Sequence, residues 1–113
     1  MDITFTKDNL ATLKHLADRQ EILDCLTRAL RAIDRFDRDL FLTCFHPEAL
    51  IDAGGYLNAA ATVYDGSAAL HEKGQTSTIH NLLNHNCEID GDTAHCETYL
   101  LFTGLNNDRT NWI

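Results

Sequence analysis

Basic side chains are scarce in this chain: nine Lys and Arg stand against seventeen Asp and Glu, a formal net charge of -8 with a pI near 5.0. That balance excludes a nucleic-acid surface, which needs clustered cations to neutralise phosphates. Arg28, Arg31, Arg35 and Arg38 do cluster, but at helical spacing among acids, as on a solvated helix face. No apolar run approaches the ~20 residues that span a bilayer, so no membrane partner is expected. Residues 1–8 lack the charged-then-apolar layout of a signal peptide, and the expected location is the cytoplasm. Cys25, Cys44, Cys87 and Cys96 make no C-x-x-C, so a reducing compartment predicts buried thiols rather than disulfides or zinc ligands. Only Cys87 and Cys96 are placed to face each other, across a hairpin. No G-x-G-x-x-G, Walker loop, H-E-x-x-H or nucleophile elbow occurs, and His85 and His95 have no partner at ligand spacing on one helix face. No cofactor and no metal are therefore expected. With one proline, six glycines and no linker or repeat, residues 1–113 read as a single domain, long enough for one core.

What is present is a helix-period first half and a strand-period second half. Asp18-x-x-Glu21 has the spacing of a capping pair, and Ile22, Leu23, Leu26, Leu30 and Ile33 recur at helical spacing, which predicts an amphipathic helix over about 18–34 after a weakly periodic leader. Ile22, Leu26, Leu30 and Ile33 are expected to pack on the sheet. A shorter helix is predicted over about 37–44, stopped by His46-Pro47, then a strand over 49–53 and a Gly54-Gly55 turn. Residues 56–64 read as extended, and Asp65-Gly66-Ser67 as a turn into a helix capped by Ser67 and stopped by Gly74. Beyond Gln75 the period becomes two. Strands over 78–89 and 93–102 flank Asp90-Gly91-Asp92, a hairpin turn. If Ile89 and Thr93 flank the turn, Leu82 lies opposite Leu100 and His80 opposite Phe102. Asn106-Asn107-Asp108 reads as another turn and Thr110–Ile113 as the opening of a strand with no partner in the chain. Residues after about Thr103 are thus expected to lie against another subunit or to be poorly ordered.

Two polar residues sit where each aims at the same interior: Asp34 at the end of the first helix and His80 in an alternating strand. A carboxylate bonded to one ring nitrogen of an imidazole fixes its tautomer and leaves the other nitrogen free to act as a general base. A lone strand His is commonly structural, and an Asp at a helix end commonly caps or solvates the turn. Against that, a carboxylate at a helix C-terminus opposes the macrodipole and calls for a specific partner. Asn84 is expected to follow His80 on the same strand face, and Asp52, Tyr56, Tyr64, Glu97 and Tyr99 are further polar candidates. Leu82, Leu100 and Phe102 are expected to form an apolar wall.

The runs Leu16-Ala17-Asp18-Arg19-Gln20-Glu21-Ile22, Arg31-Ala32-Ile33-Asp34-Arg35-Phe36-Asp37 and Phe45-His46-Pro47-Glu48-Ala49, with Tyr64-Asp65-Gly66, His80, Ile89-Asp90-Gly91-Asp92-Thr93-Ala94 and Glu97-Thr98-Tyr99 in order, resemble SnoaL-like domains of the nuclear transport factor 2-like superfamily. The resemblance implies an α+β cone: a curved antiparallel sheet wrapped around a long N-terminal helix, here without its last strands. It also implies a pocket. Members include scytalone dehydratase, lindane dehydrochlorinase, bile acid 7-alpha-dehydratase and polyketide cyclases, and others only bind ligands or partners. In the dehydratase and dehydrochlorinase branch an Asp ending the first long helix pairs with a strand His that abstracts a proton, and Asp34 and His80 match those positions. Several relatives carry a Tyr five residues before that Asp, where this chain has Ala29.

Two functions remain open. One is a cofactor-independent lyase or isomerase of dehydratase, cyclase or dehydrohalogenase type, acting on a small apolar cyclic molecule with His80 as base and Asp34 orienting it. The other is a non-catalytic pocket protein that binds a small ligand or partner chain. In either case a homo-oligomer, dimer or trimer, is expected.

Overall fold

The computed structural model describes residues 4–108. Three helices and four strands follow one another as α1 (Lys7–Asp34), α2 (Arg38–Thr43), β1 (Leu50–Asp52), β2 (Leu57–Ala59), α3 (Ala60–Gly74), β3 (Gln75–Asp90) and β4 (Thr93–Asn106). Helix α1 begins eleven residues earlier than the apolar period predicts, because Thr6 caps it by accepting the Asn9 N–H, leaving Asp18 inside the helix as a partner of Lys14. Residues 7–17 bury nothing: Leu10, Leu13 and Leu16 are all about half exposed, so no apolar stripe could announce this segment.

The core lies at the other end of α1. Ala29, Ala32 and Ile33 pack with Phe41 of α2 and Ala60 and Tyr64 of α3, and the Phe41 ring centroid is 4.8 Å from Phe45 and 5.2 Å from Tyr64. Of the four α1 residues expected to be buried, only Ile33 is; Ile22, Leu26 and Leu30 are partly exposed, because the face that turns inward is the small one that lets α2 and α3 approach closely.

Helix α3 corrects two expectations. Residues 60–64 are helical rather than extended, and Asp65-Gly66-Ser67 lies within the helix, so Ser67 caps nothing. The β-branched run misleads, since Ala60 and Tyr64, four apart, form one buried face, while Asp65 is held by Arg38 of α2 at 2.8 Å rather than turning the chain. Gly74 ends the helix as expected.

Strands β1 and β2 form a short antiparallel hairpin whose turn uses Gly54 and Gly55 at φ 75° and 92°, with Asp52 Oδ1 accepting the Gly55 N–H. Strands β3 and β4 form a second, separate hairpin turning at Gly91, φ 58°. The predicted pairs Leu82–Leu100 and His80–Phe102 are present, but by a different route. At the turn Asp90 pairs with Thr93 and Ile89 with Ala94, one step away from the expected register, and a bulge between Leu82 and His85 shifts it back. The bulge exchanges the faces of β3: Thr78, His80 and Leu82 share one face before it, His85, Cys87 and Ile89 the continuing face after it. Strand β4 stays paired through Asn106, and Asn107 donates to the Gly74 and Lys73 carbonyls at the end of α3, so residues 103–107 are fixed within this chain. Thr110–Ile113 lie outside the described residues.

Neither sheet closes into a barrel among the described residues. The accessible surface is 8575 Å² and the radius of gyration 17.6 Å, against about 6,200 Å² and about 13 Å for a compact chain of this size. No helix among the described residues is long and apolar enough to cross a membrane.

Candidate proton-transfer site

Asp34 is the last residue of α1, and the chain reverses immediately after it. Asp37 N–H donates to the Ala32 carbonyl at 2.8 Å and Phe36 N–H to the Ile33 carbonyl at 3.2 Å, the paired bonds of a Schellman stop, with Phe36 in the left-handed region at φ 56°. Glycine usually holds that position; a Phe there costs about 1–2 kcal/mol. Strain is thus stored two residues from the carboxylate, and the stop fixes where Asp34 points.

Strand β3 supplies three donors to that carboxylate. Thr78 Oγ1 donates to Asp34 Oδ1 at 2.8 Å, the His80 backbone N–H to Oδ2 at 2.9 Å, and His80 Nδ1 lies 2.6 Å from Oδ1. Both side chains are largely buried, Asp34 at 17% and His80 at 11% exposure. These bonds offset the unfavourable helix dipole at Asp34 and occupy the His80 backbone N–H. With Nδ1 committed to an acceptor-only carboxylate, the neutral imidazole is the Nδ1–H tautomer, and its Nε2 carries the lone pair. Among the described residues, the side-chain hydrogen bond of His80 runs through Nδ1 and none runs through Nε2.

The ring is held on its other sides by aromatics. Phe102, directly across the hairpin, lies 4.9 Å from His80 between centroids, and His71 of α3 meets it edge-on at 5.7 Å while stacking on Phe102 at 5.5 Å. His71 Nδ1 in turn engages Gln75 Oε1 at 2.8 Å. An open groove of about 560 Å³ runs beside the dyad between α1 and β3, with Leu30, Leu82, Asp34, Thr78 and His80 in its walls together with Arg31 and Arg35. It is not a closed cavity.

The other sequence candidates divide clearly. Leu82 lines the groove and Phe102 touches His80. Asn84 does not follow His80: the bulge turns it to the opposite face, beside Asn86, Glu97 and Tyr99. Leu100 is half exposed, Tyr56 is 75% exposed, and Asp52 is spent on its own turn; none borders the groove. Tyr64 belongs to the core. Thr78 and His71 were not anticipated. Thr78 was within reach of the period, since it shares the face of His80 two residues on; nothing local marks His71. His85, Cys87 and Cys96 also come together across the hairpin, a potential metal-ligand set that sequence spacing gave no reason to expect.

A family profile described as SnoaL-like domain matches residues 14–113. The chain is a SnoaL-like domain of the nuclear transport factor 2-like superfamily. No functionally curated protein matches it. A solved structure from Novosphingobium aromaticivorans, provisionally named an aromatic ring hydroxylase, is similar to it at TM-score 0.70 and 23% identity, over 82% of this chain and 68% of that one. At that identity the likeness bears on fold alone. It agrees with the expected α+β architecture, a long N-terminal helix with antiparallel strands, which this SnoaL-like domain presents with its sheets unclosed.

Proposed function

We propose that this SnoaL-like domain is a cofactor-independent lyase or isomerase in which His80 Nε2 removes a proton from a small, largely apolar, cyclic substrate. Asp34 fixes the tautomer and balances the charge of the imidazolium that forms. The observation that carries this reading is the three-bond clamp on Asp34, because a carboxylate held by Thr78 Oγ1, His80 N–H and His80 Nδ1 leaves the other ring nitrogen outside the clamp. Leu82 and Phe102 would supply apolar contact. Elimination of water or halide, ring closure and double-bond migration all begin with this proton removal. A dimer or trimer is part of the proposal, supported by the apolar surface that Leu83, Tyr99 and Leu101 leave uncovered.

A non-catalytic ligand-binding role is the second reading. It is favoured by Ala29, buried among core side chains where several relatives place a tyrosine, and by the openness of the groove. Incubation with a panel of hydroxylated and unsaturated ring compounds in D2O, read by mass spectrometry, separates the two. The catalytic reading predicts deuterium uptake or product with wild type and a loss of about 10²–10⁴-fold in His80→Asn. Wild-type turnover in His80→Asn contradicts it, and saturable binding with neither exchange nor product supports the second reading.

A further inference from the structure

The bulge at Leu82–His85 places a second polar constellation on the hairpin, remote in chemistry from the dyad. His85 pairs with Thr98 and Cys87 with Cys96, so two neighbouring rungs present four polar side chains on one face. The ligand atoms of His85, Cys87 and Cys96 all lie within 4.8 Å of one another. The two sulfurs are 2.7 Å apart. His85 Nδ1 lies 2.7 Å from Thr98 Oγ1, while His85 Nε2 is buried with no hydrogen-bond partner, the one buried side-chain polar atom so placed among the described residues. Native folds rarely leave such an atom unmet, and an imidazole oriented through one nitrogen with the other left bare is the usual state of a metal-binding histidine.

We propose that His85, Cys87 and Cys96 bind a thiophilic divalent cation of the zinc class, which staples the two arms of the β3–β4 hairpin. One nitrogen and two sulfurs suit a borderline-soft ion. Thr98 accepts the Nδ1 proton and fixes the tautomer that offers Nε2. Arg19 of α1 binds the His85 carbonyl at 2.7 Å and anchors the backbone beneath the site. Zn–S bonds of ~2.3 Å set two tetrahedral sulfurs ~3.8 Å apart, so the thiols, now 2.7 Å apart, must part by about 1 Å, which the exposed Cys96 permits. Each thiol loses its proton on binding, the two thiolates balance the charge of the ion, and the fourth position is left to solvent.

The test is titration of the fully reduced chain with Co²⁺, followed by displacement with Zn²⁺. Expected are saturation near one equivalent, a thiolate-to-cobalt charge-transfer band with tetrahedral d–d bands, and release of about two protons per Zn²⁺. The bands are expected to vanish in Cys87→Ser and His85→Gln and to persist in Cys25→Ser/Cys44→Ser, while Thr98→Val weakens binding about 10–100-fold. Should a variant fail to fold, X-ray absorption on the zinc-loaded wild type reads the same site as two sulfurs at ~2.3 Å and one nitrogen at ~2.0 Å. No charge-transfer band in the reduced wild type, undiminished binding in His85→Gln, or an absorption spectrum without both ligand types overturns the proposal.

Discussion

The two ends of this molecule are built on opposite terms. Where α1 ends, Ala32, Ile33, Phe41 and Tyr64 are nearly sealed from water; along the hairpin, Leu83, Tyr99, Leu100 and Leu101 are each about half exposed. The dyad sits at the seam, with Asp34 contributed by the packed end and His80 by the hairpin. Precise placement of the Asp34 carboxylate needs a rigid support, and the packed end supplies it: the buried Ala29, Ala32 and Ile33 fix the last turns of α1, and Phe36 fixes the stop. The hairpin's outer half has no comparable core, and its order depends on backbone pairing, on whatever covers it, or on a staple.

That contrast can be broken by mutation. Phe41→Ala should cost about 3–5 kcal/mol in denaturant unfolding, whereas Leu101→Ala should change stability by less than about 0.5 kcal/mol. Equal losses would mean that the hairpin shares the core. At the seam, Asp34→Ala strands three donors and should cost about 1–3 kcal/mol, more than Thr78→Val, which removes one bond and leaves the other two in place. If Thr78→Val is the costlier change, the carboxylate is not the hub of the clamp.

Two smaller effects sharpen the picture. Phe36→Gly should raise stability by about 0.5–1 kcal/mol by relieving the left-handed residue, read as a higher midpoint of thermal unfolding; a lower one would assign the exposed ring a packing role. In metal-free protein, Cys96 should alkylate slowly near neutrality and faster as pH approaches about 11. Because its folded value lies above that of a free thiol, its contribution to stability is complete below about pH 9 and is lost as pH rises through about 11. Fast alkylation of Cys96 at pH 7 would contradict a thiol that its surroundings and Cys87 hold protonated.

What could be read from the sequence follows the same division. The period-two run and Asp90-Gly91-Asp92 were enough for the long hairpin, and the pairs at His80 and Leu82 came out as expected only because a one-step offset at the turn is cancelled by the bulge. The same bulge defeated the placement of Asn84, since no local residue marks it. The first turns of α1 were illegible because Leu10, Leu13 and Leu16 stay about half exposed and mark no buried stripe. The start of α3 was hidden because Asp65-Gly66 has turn chemistry that Arg38, distant in sequence, overrides. Asp34 and His80 could be named as candidates from their local settings and family resemblance, but the bonds that join them are tertiary, as is the meeting of His85 with Cys87 and Cys96.

The central claim is that Asp34 holds His80 as the Nδ1–H tautomer with Nε2 free, and it can be tested without knowing the substrate. Long-range ¹H–¹⁵N correlation spectra of the histidine side chains, assigned by His80→Asn, should show a protonated Nδ1 and a bare Nε2 in the neutral ring. In Asp34→Ala that pattern should give way to the Nε2–H form or to a rapidly exchanging mixture. A His80 ring carrying its proton on Nε2 in the wild type, or one unchanged by Asp34→Ala, would contradict the account.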